Sequence, residues 1–392
     1  MTHELDSNNE DRTRLRDLGL HKLLSLSHGL SLSPAETLQA ASLFEKMSSS
    51  WGERLVGAMP AWPSDITDDG TPFEFSVAFG ASNPKLRMLV EAQQAPFDLH
   101  SNWQAGLELH TALQSIPHLD VSSFARIADL FAPGDGPAAR FALWHAADIS
   151  EARVTLKAYL NPQIRGPEAA PGLIHEALQR LGCGHGCDLV TELLEDPDAS
   201  NELVYFSLDL SAAAGARAKV YIAHRQATAA EIESQLARCD GHVRGDALSW
   251  ITALTGSKGP FSMRPILSCF AFSASTRKPS ITLHIPTRCY VENDADSAAR
   301  VGALLAPVDR QELQGILVGF SGRPLDVGRS LITYVSLRRE AAGLQITTYL
   351  APEAYAIAAP RPRVGRSVRR LAKLAPWSIE APRSMTKAMD VG

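Results

Sequence analysis

Five pairs of short strand-like segments recur along this chain at intervals of roughly 65 residues, and their alternation dictates what the two faces of each strand can be. The second members are Lys85–Glu91, Leu156–Tyr159, Arg217–Tyr221, Thr282–His284 and Thr347–Tyr349. Each has an upstream partner of apolar, β-favouring composition: Pro72–Phe79, Arg140–Ala146, Leu203–Leu210, Ile266–Phe272 and Leu331–Leu337. Connectors such as Gly80-Ala-Ser-Asn-Pro84 and Ala341-Ala-Gly343 are short and turn-forming, so each pair reads as an antiparallel hairpin. Side chains two apart on a strand share a face. Arg87 therefore lies with Glu91, Lys157 with Tyr159, and Arg217 with Lys219 and Tyr221. One face of the sheet is cationic and tyrosine-lined.

Between hairpins the apolar period lengthens to about 3.6, the mark of helices. The helical segments are Trp103–Leu113 with Ser122–Leu130, Leu173–Leu181 with Leu189–Leu194, Glu231–Ala237 with Leu248–Leu254, and Ala298–Leu305 with Arg310–Leu317. Thr228-Ala-Ala-Glu231 has the form of a capping box. The repeating unit is ββαα. Ten antiparallel strands in one open sheet would leave two exposed edges, and closure into a barrel removes them. The chain is thus expected to be α+β, a ten-stranded antiparallel closed barrel of five ββαα repeats with the helices outside. A barrel of about ten strands is wider than side chains alone fill, so its interior can hold a ligand. A five-bladed propeller shares the fivefold period but has four strands per blade and no long helices.

At 392 residues the chain exceeds the usual length of about 150 per domain, yet the unbroken repeat argues for one domain over residues 13–358. Residues 1–12 are expected to be disordered, and 359–392 to form a basic, solvated tail. A net charge of −5 argues against nucleic acid as a partner. No apolar run approaches a membrane span, and the acidic, polar N-terminus is unlike a secretion signal, so a cytoplasmic location is expected. Five cysteines fit reduced thiols, and Cys183-Gly-His185-Gly-Cys187 lacks the second ligand pair of a structural zinc site, which leaves a helix–loop junction.

Several fixed cations with no carboxylate cluster suit a polyanion, and a diphosphate matches their number. Magnesium-dependent diphosphate sites present carboxylates at set spacings that Asp68-Asp69 and Asn293-Asp294-Ala-Asp296 lack. Side-chain cations are therefore expected in place of a metal, with no cofactor required. Tyrosines among the cations would stabilise a carbocation while offering it no strong nucleophile. Glu74, on a strand of Phe, Ser, Val and Ala, is a costly carboxylate unless it has a function.

Over roughly residues 50–356 the chain resembles the dimethylallyltryptophan synthase family of indole prenyltransferases. The anchors are Thr67-Asp-Asp-Gly-Thr-Pro-Phe-Glu74-Phe-Ser76, Leu86-Arg87 with Glu91, Lys157-Ala-Tyr159-Leu-Asn-Pro162, Arg217-Ala-Lys219-Val-Tyr221, and Pro286-Thr-Arg288-Cys-Tyr290-Val-Glu-Asn293-Asp294, with Tyr334 and Tyr349. The resemblance implies the ABBA prenyltransferase barrel, prenyl diphosphate as co-substrate and an indole acceptor such as tryptophan, an indolactam or a tryptophan-containing cyclic peptide. It implies that Arg87, Lys157, Arg217 and Lys219 bind diphosphate, together with Thr282 and His284 of the fourth repeat. It also implies that Tyr159, Tyr221, Tyr334 and Tyr349 shield the allylic cation, and that Glu74 is the base that accepts the indole N–H. Two features depart from the family pattern. Thr282-Leu-His284-Ile-Pro286 stands where the family has Gln-x-Tyr before Ile-Pro, and no arginine matches the one that clamps the carboxylate of free tryptophan, which favours an acceptor with a masked carboxylate. A dimethylallyl or geranyl donor fits the resemblance, as does a monomer or homodimer. The alternatives are a phenolic acceptor or a non-catalytic isoprenoid-binding barrel.

Overall fold

The ten strands alternate apolar and polar so regularly that only a two-faced sheet can satisfy them, and the computed structural model closes that sheet on itself. It describes residues 13–80, 84–134, 139–150, 153–211, 216–239, 242–341 and 343–362. The strands are β1 (Phe73–Phe79), β2 (Lys85–Glu91), β3 (Leu143–Ser150), β4 (Arg153–Leu160), β5 (Ser200–Leu210), β6 (Arg217–Arg225), β7 (Ile266–Ser273), β8 (Thr276–Ile285), β9 (Ile332–Glu340) and β10 (Gly343–Leu350). Every strand pairs antiparallel with its sequence neighbour, and β1 pairs with β10 to complete the barrel. Several strands run past the expected ends, β8 by six residues at its start, because its ladder with β7 continues to Thr276 where the apolar alternation has stopped.

The helices are α1 (Leu15–Gly29), α2 (Pro34–Met47), α3 (Leu99–Leu113), α4 (Ser122–Ala125), α5 (Ala128–Phe131), α6 (Ala170–Arg180), α7 (Cys187–Leu194), α8 (Ala229–Leu236), α9 (Asp246–Thr255), α10 (Asp294–Gly302) and α11 (Pro307–Ser321). Two findings differ from expectation. The segment Ser122–Leu130 is two single turns, α4 and α5, broken where Ile127 drops fully into the core. The helix pair α1–α2 was unforeseen, and it changes the repeat to ααββ. It supplies the fifth outer pair, and α1 packs against α11 to close the helical ring. Ser33 and Glu36 form a capping box with Pro34 in the first turn of α2, and Thr228 with Glu231 does the same for α8.

The apolar core lies between barrel and helices. Phe73, Phe75, Val77 and Phe79 of β1 are all fully buried on the outer face. Phe44 of α2 meets Phe73 and Phe75 at ring distances of 5.2 and 5.5 Å, and Trp51 stacks on Phe73 at 5.3 Å. With hydrophobic residues spent outside, the alternate positions bring polar side chains inward. Cys183 and Cys187 flank a single 3-10 turn (Gly184–Gly186) between α6 and α7, and burial pushes both thiols up. The segment is a helix–loop junction. Past β10 the backbone stays attached as far as Arg361, whose N–H donates to the carbonyl of Glu292. The expectations for residues 1–12 and for 363–392 of the tail lie outside the described residues. Among the described residues no helix is long and apolar enough to cross a membrane.

Candidate active site

The inward residues of each hairpin fall into layers along the barrel axis. At the hairpin-turn end stand Arg87, Lys157, Arg217 and Lys219, the four cations singled out in the sequence, together with Thr282, Arg338, Gln345 and Thr347. Ser76, Ala146, Ser207 and Ala271 lie directly across the ladder from Arg87, Lys157 and Lys219, and their small side chains leave the cations room to converge.

One expectation is corrected here: the cations are interleaved with carboxylates. Asp148 of β3 takes Lys157 Nζ at 2.6 Å and Arg87 Nε at 3.4 Å. Asp209 of β5 takes Lys219 Nζ at 2.5 Å and Arg217 Nε at 2.9 Å. The facing cations hold both aspartates well below the usual carboxylate range despite burial. The physical reason is the cost of leaving four or five converging cations uncompensated in a barrel interior. Arg338 has its own partner in the half-exposed Glu340, so five cations against three carboxylates still leave a positive excess of two, suited to a diphosphate. Burial lowers Lys157 to about 8, with Lys219 and Arg87 pulling the same way and Asp148 opposing. A bound anion would raise that value and hold Lys157 fully protonated.

Above the cations lies an aromatic belt. Tyr159 and Tyr221 approach with ring centroids 6.0 Å apart, Tyr221 and His284 at 5.5 Å, and His284 and Tyr349 at 5.8 Å. Burial, and then the charges of Arg87, Arg338 and Lys219, push the His284 imidazole down to about 3, so it stands neutral in the belt. Burial lifts the tyrosine hydroxyls, Tyr349 to about 12, so they remain protonated. Tyr159, Tyr221, His284 and Tyr349 line both the cationic space and the space above it.

The far end holds Glu74, Leu89, Trp144, Tyr205, Leu267 and Tyr334, roofed by Asp65 and Ile66 of the segment entering β1 and by Arg264. Tyr334 sits in this layer, one level above the tyrosines with which it was grouped from the sequence. Glu74 points inward and is 7% exposed. Its hydrogen-bond partner is the Thr333 hydroxyl, which donates from a distant 3.5 Å. Burial lifts its carboxyl to about 8, while the Arg288 charge and Thr333 draw it down. A buried carboxylate with so little protein satisfaction is free to bond a ligand donor.

Sequence reading brought Glu74, Arg87, Lys157, Tyr159, Arg217, Lys219, Tyr221, Thr282, His284, Tyr334 and Tyr349 to one chamber, and all eleven line it. It missed Asp148, Asp209, Trp144, Tyr205, Arg338 and the Arg264–Asp68–Arg288 cluster. A signal for four of these existed. The first strands of the second and third hairpins read Trp144-x-Ala146-x-Asp148 and Tyr205-x-Ser207-x-Asp209, the same large, small, acidic order on one face. Arg264 and Asp68 lie in loops, where no periodicity marks the inward residues. Among the described residues no group of three or more His, Cys, Asp or Glu is placed to hold a metal ion.

A family model described as tryptophan dimethylallyltransferase matches residues 45–316. Among solved structures, one named 6-dimethylallyl tryptophan synthase superposes with a TM-score of 0.83 at 31% identity, over 89% of this chain and 99% of its own. A 6-dimethylallyltryptophan synthase from Micromonospora olivasterospora, in complex with DMASPP and Trp, gives 0.82 at 30% identity, over 88% and 99%. A 5-dimethylallyl tryptophan synthase from Streptomyces coelicolor, also with DMASPP and Trp, gives 0.80 at 29% identity, over 92% and 100%.

Proposed function

We propose, from the premise that the chain belongs to the tryptophan dimethylallyltransferase family and is a prenyltransferase, that it moves a dimethylallyl group from dimethylallyl diphosphate to the indole of tryptophan or a tryptophan-derived compound. The observation that carries this reading is the axial order of the chamber: cations at one end, a neutral aromatic belt in the middle and a buried carboxylate at the other. The diphosphate would rest on Arg87, Lys157, Arg217, Lys219 and Arg338, which draw off negative charge as the C–O bond breaks. The allylic cation then faces Tyr159, Tyr221, Tyr349 and His284, whose rings stabilise it and exclude water. The indole sits between Trp144, Tyr205 and Tyr334, its N–H donating to Glu74 Oε. Attack forms the new bond to the prenyl carbon, and the ring proton passes to the released diphosphate, which restores aromaticity. The positive excess of the cation layer supports binding without magnesium, and a cytoplasmic monomer or homodimer remains the expected form.

The test is Glu74→Gln, which keeps shape but removes the charge that grows in value as the ring becomes positive. Turnover with tryptophan should fall by about 10²–10⁴, while calorimetric affinity for a non-ionisable donor analogue stays unchanged. A Gln variant that keeps more than about a third of wild-type turnover would remove Glu74 from the reaction. Parallel assays with tryptophan, tyrosine and a tryptophan-containing cyclic dipeptide identify the acceptor.

A further inference from the structure

Arg288 is buried with one arm unused. It lies in the single 3-10 turn after β8 (Thr287–Cys289), and its side chain is 2% exposed. Nε and Nη2 both grip the carboxylate of Asp68, the latter at 2.8 Å from Oδ1. The guanidinium stands 5.0 Å from the ring centroid of Tyr334, which lines the chamber beside Glu74. Among the described residues Nη1 is buried without a partner. Native structures seldom leave such a donor unanswered, and one beside a ligand chamber calls for an explanation.

Among the described residues Arg288 is the cation whose charge draws Glu74 down. The other groups around that carboxyl are Thr333 and Tyr334 of β9, Tyr349 of β10 and, across the ladder on β2, the uncharged Leu89. Arg264, the second arginine on Asp68, directs its charge to Asp65, Tyr205 and Tyr334 instead.

Resting on the role given to Glu74 above, we propose that Arg288 is a positioning residue: clamped by Asp68, it supports the ionised form of Glu74 that receives the indole N–H, and Asp68 limits how strongly it does so. Arg288 and Asp68 then act in opposite senses. An unclamped guanidinium would draw Glu74 lower and make it a weaker proton acceptor, and with no guanidinium burial would hold it higher. Burial, opposed by Arg288 and Thr333, leaves Glu74 at about 8, near neutral pH, where a base is most effective. Because the ionised form is the active one, turnover should rise with pH through that value.

The experiment is the pH profile of kcat for four variants. Arg288→Gln should move the acidic limb upward by about one pH unit, the shift expected from losing one nearby opposite charge. Arg288→Lys should return the limb toward its original position, and Asp68→Asn should move it downward. Glu74→Gln should abolish it. A lower kcat in Arg288→Gln with the limb in place, or movement in the same direction in Arg288→Gln and Asp68→Asn, overturns the proposal. Should Arg288→Gln fail to fold, Asp68→Asn decides alone, and an unmoved limb there is fatal. A limb that persists in Glu74→Gln belongs to another group, with Lys157 at about 8 and Glu91 at about 7 nearest in value, and overturns the proposal through its premise.

Discussion

Individual side chains in this barrel do two tasks at once. Asp209 lies across the ladder from Lys157 while bonding Lys219 and Arg217, so it holds together cations that would otherwise repel. Removing a cation therefore differs from removing its counter-ion. Lys219→Ala deletes one charge-assisted contact and leaves Asp209 under-compensated beside the diphosphate, so affinity for a donor analogue should fall about tenfold to a hundredfold. Asp209→Asn should leave that affinity equal or tighter, while lowering the melting temperature of the ligand-free protein because neighbouring cations lose their partner. Calorimetry and thermal melts separate the two, and equal loss of affinity in both variants would mean that Asp209 shapes the site instead of balancing it.

Helices and strands meet at contacts where one atom decides the sign of a substitution. Gly19 of α1 lies under the Phe44 ring, and an added Cβ would stand 2.2 Å from Cζ. Gly315 of α11 has open space around it. Ala is the better helix former by about 1 kcal/mol, so Gly315→Ala should raise the melting temperature. Gly19→Ala should lower it, since close-packed cores do not absorb such an overlap. Between α3 and β3, His110 Nδ1 meets His145 Nε2 at 3.2 Å, and the ring of His110 stacks on Phe124 at 4.2 Å. Burial pushes His110 to about 4, and burial with the neighbouring ring pushes His145 to about 3. Their stabilising contribution is fully present above the unfolded value of 6.5 and is lost as pH falls from there toward the folded values, because the unfolded chain takes up the protons first. Denaturant midpoints should accordingly decline below about pH 6.5, and His145→Phe should flatten that decline.

For the molecule as a whole, closure is what turns a two-faced sheet into an enzyme interior. Once β1 pairs with β10, the charged and aromatic faces of ten strands share one chamber, and each layer collects residues from both halves of the chain. The positive excess in the lowest layer is built from side chains, so turnover is expected to persist in excess EDTA. Loss of activity there, restored by stoichiometric magnesium, would show that a metal carries part of the diphosphate charge.

What the sequence determined by itself was whatever repeats. The period-two alternation in Arg217-Ala-Lys219-Val-Tyr221 and its counterparts set the hairpins and which residues share a face, and with edge closure that was enough for the barrel. Glu74 stood out because a carboxylate among phenylalanines needs a reason. The tertiary structure decided what no period encodes. The pair α1–α2 became legible as part of the repeat only when seen against α11, because a repeat that closes in space need not begin at its own boundary in sequence. Asp148 and Asp209 showed as counter-ions only once neighbouring hairpins set them beside Arg87, Lys157, Arg217 and Lys219. Asp68, Arg264 and Arg288 meet from positions about 200 residues apart. Electrostatic pairing at such separations depends on distance through space, and local sequence records only distance along the chain.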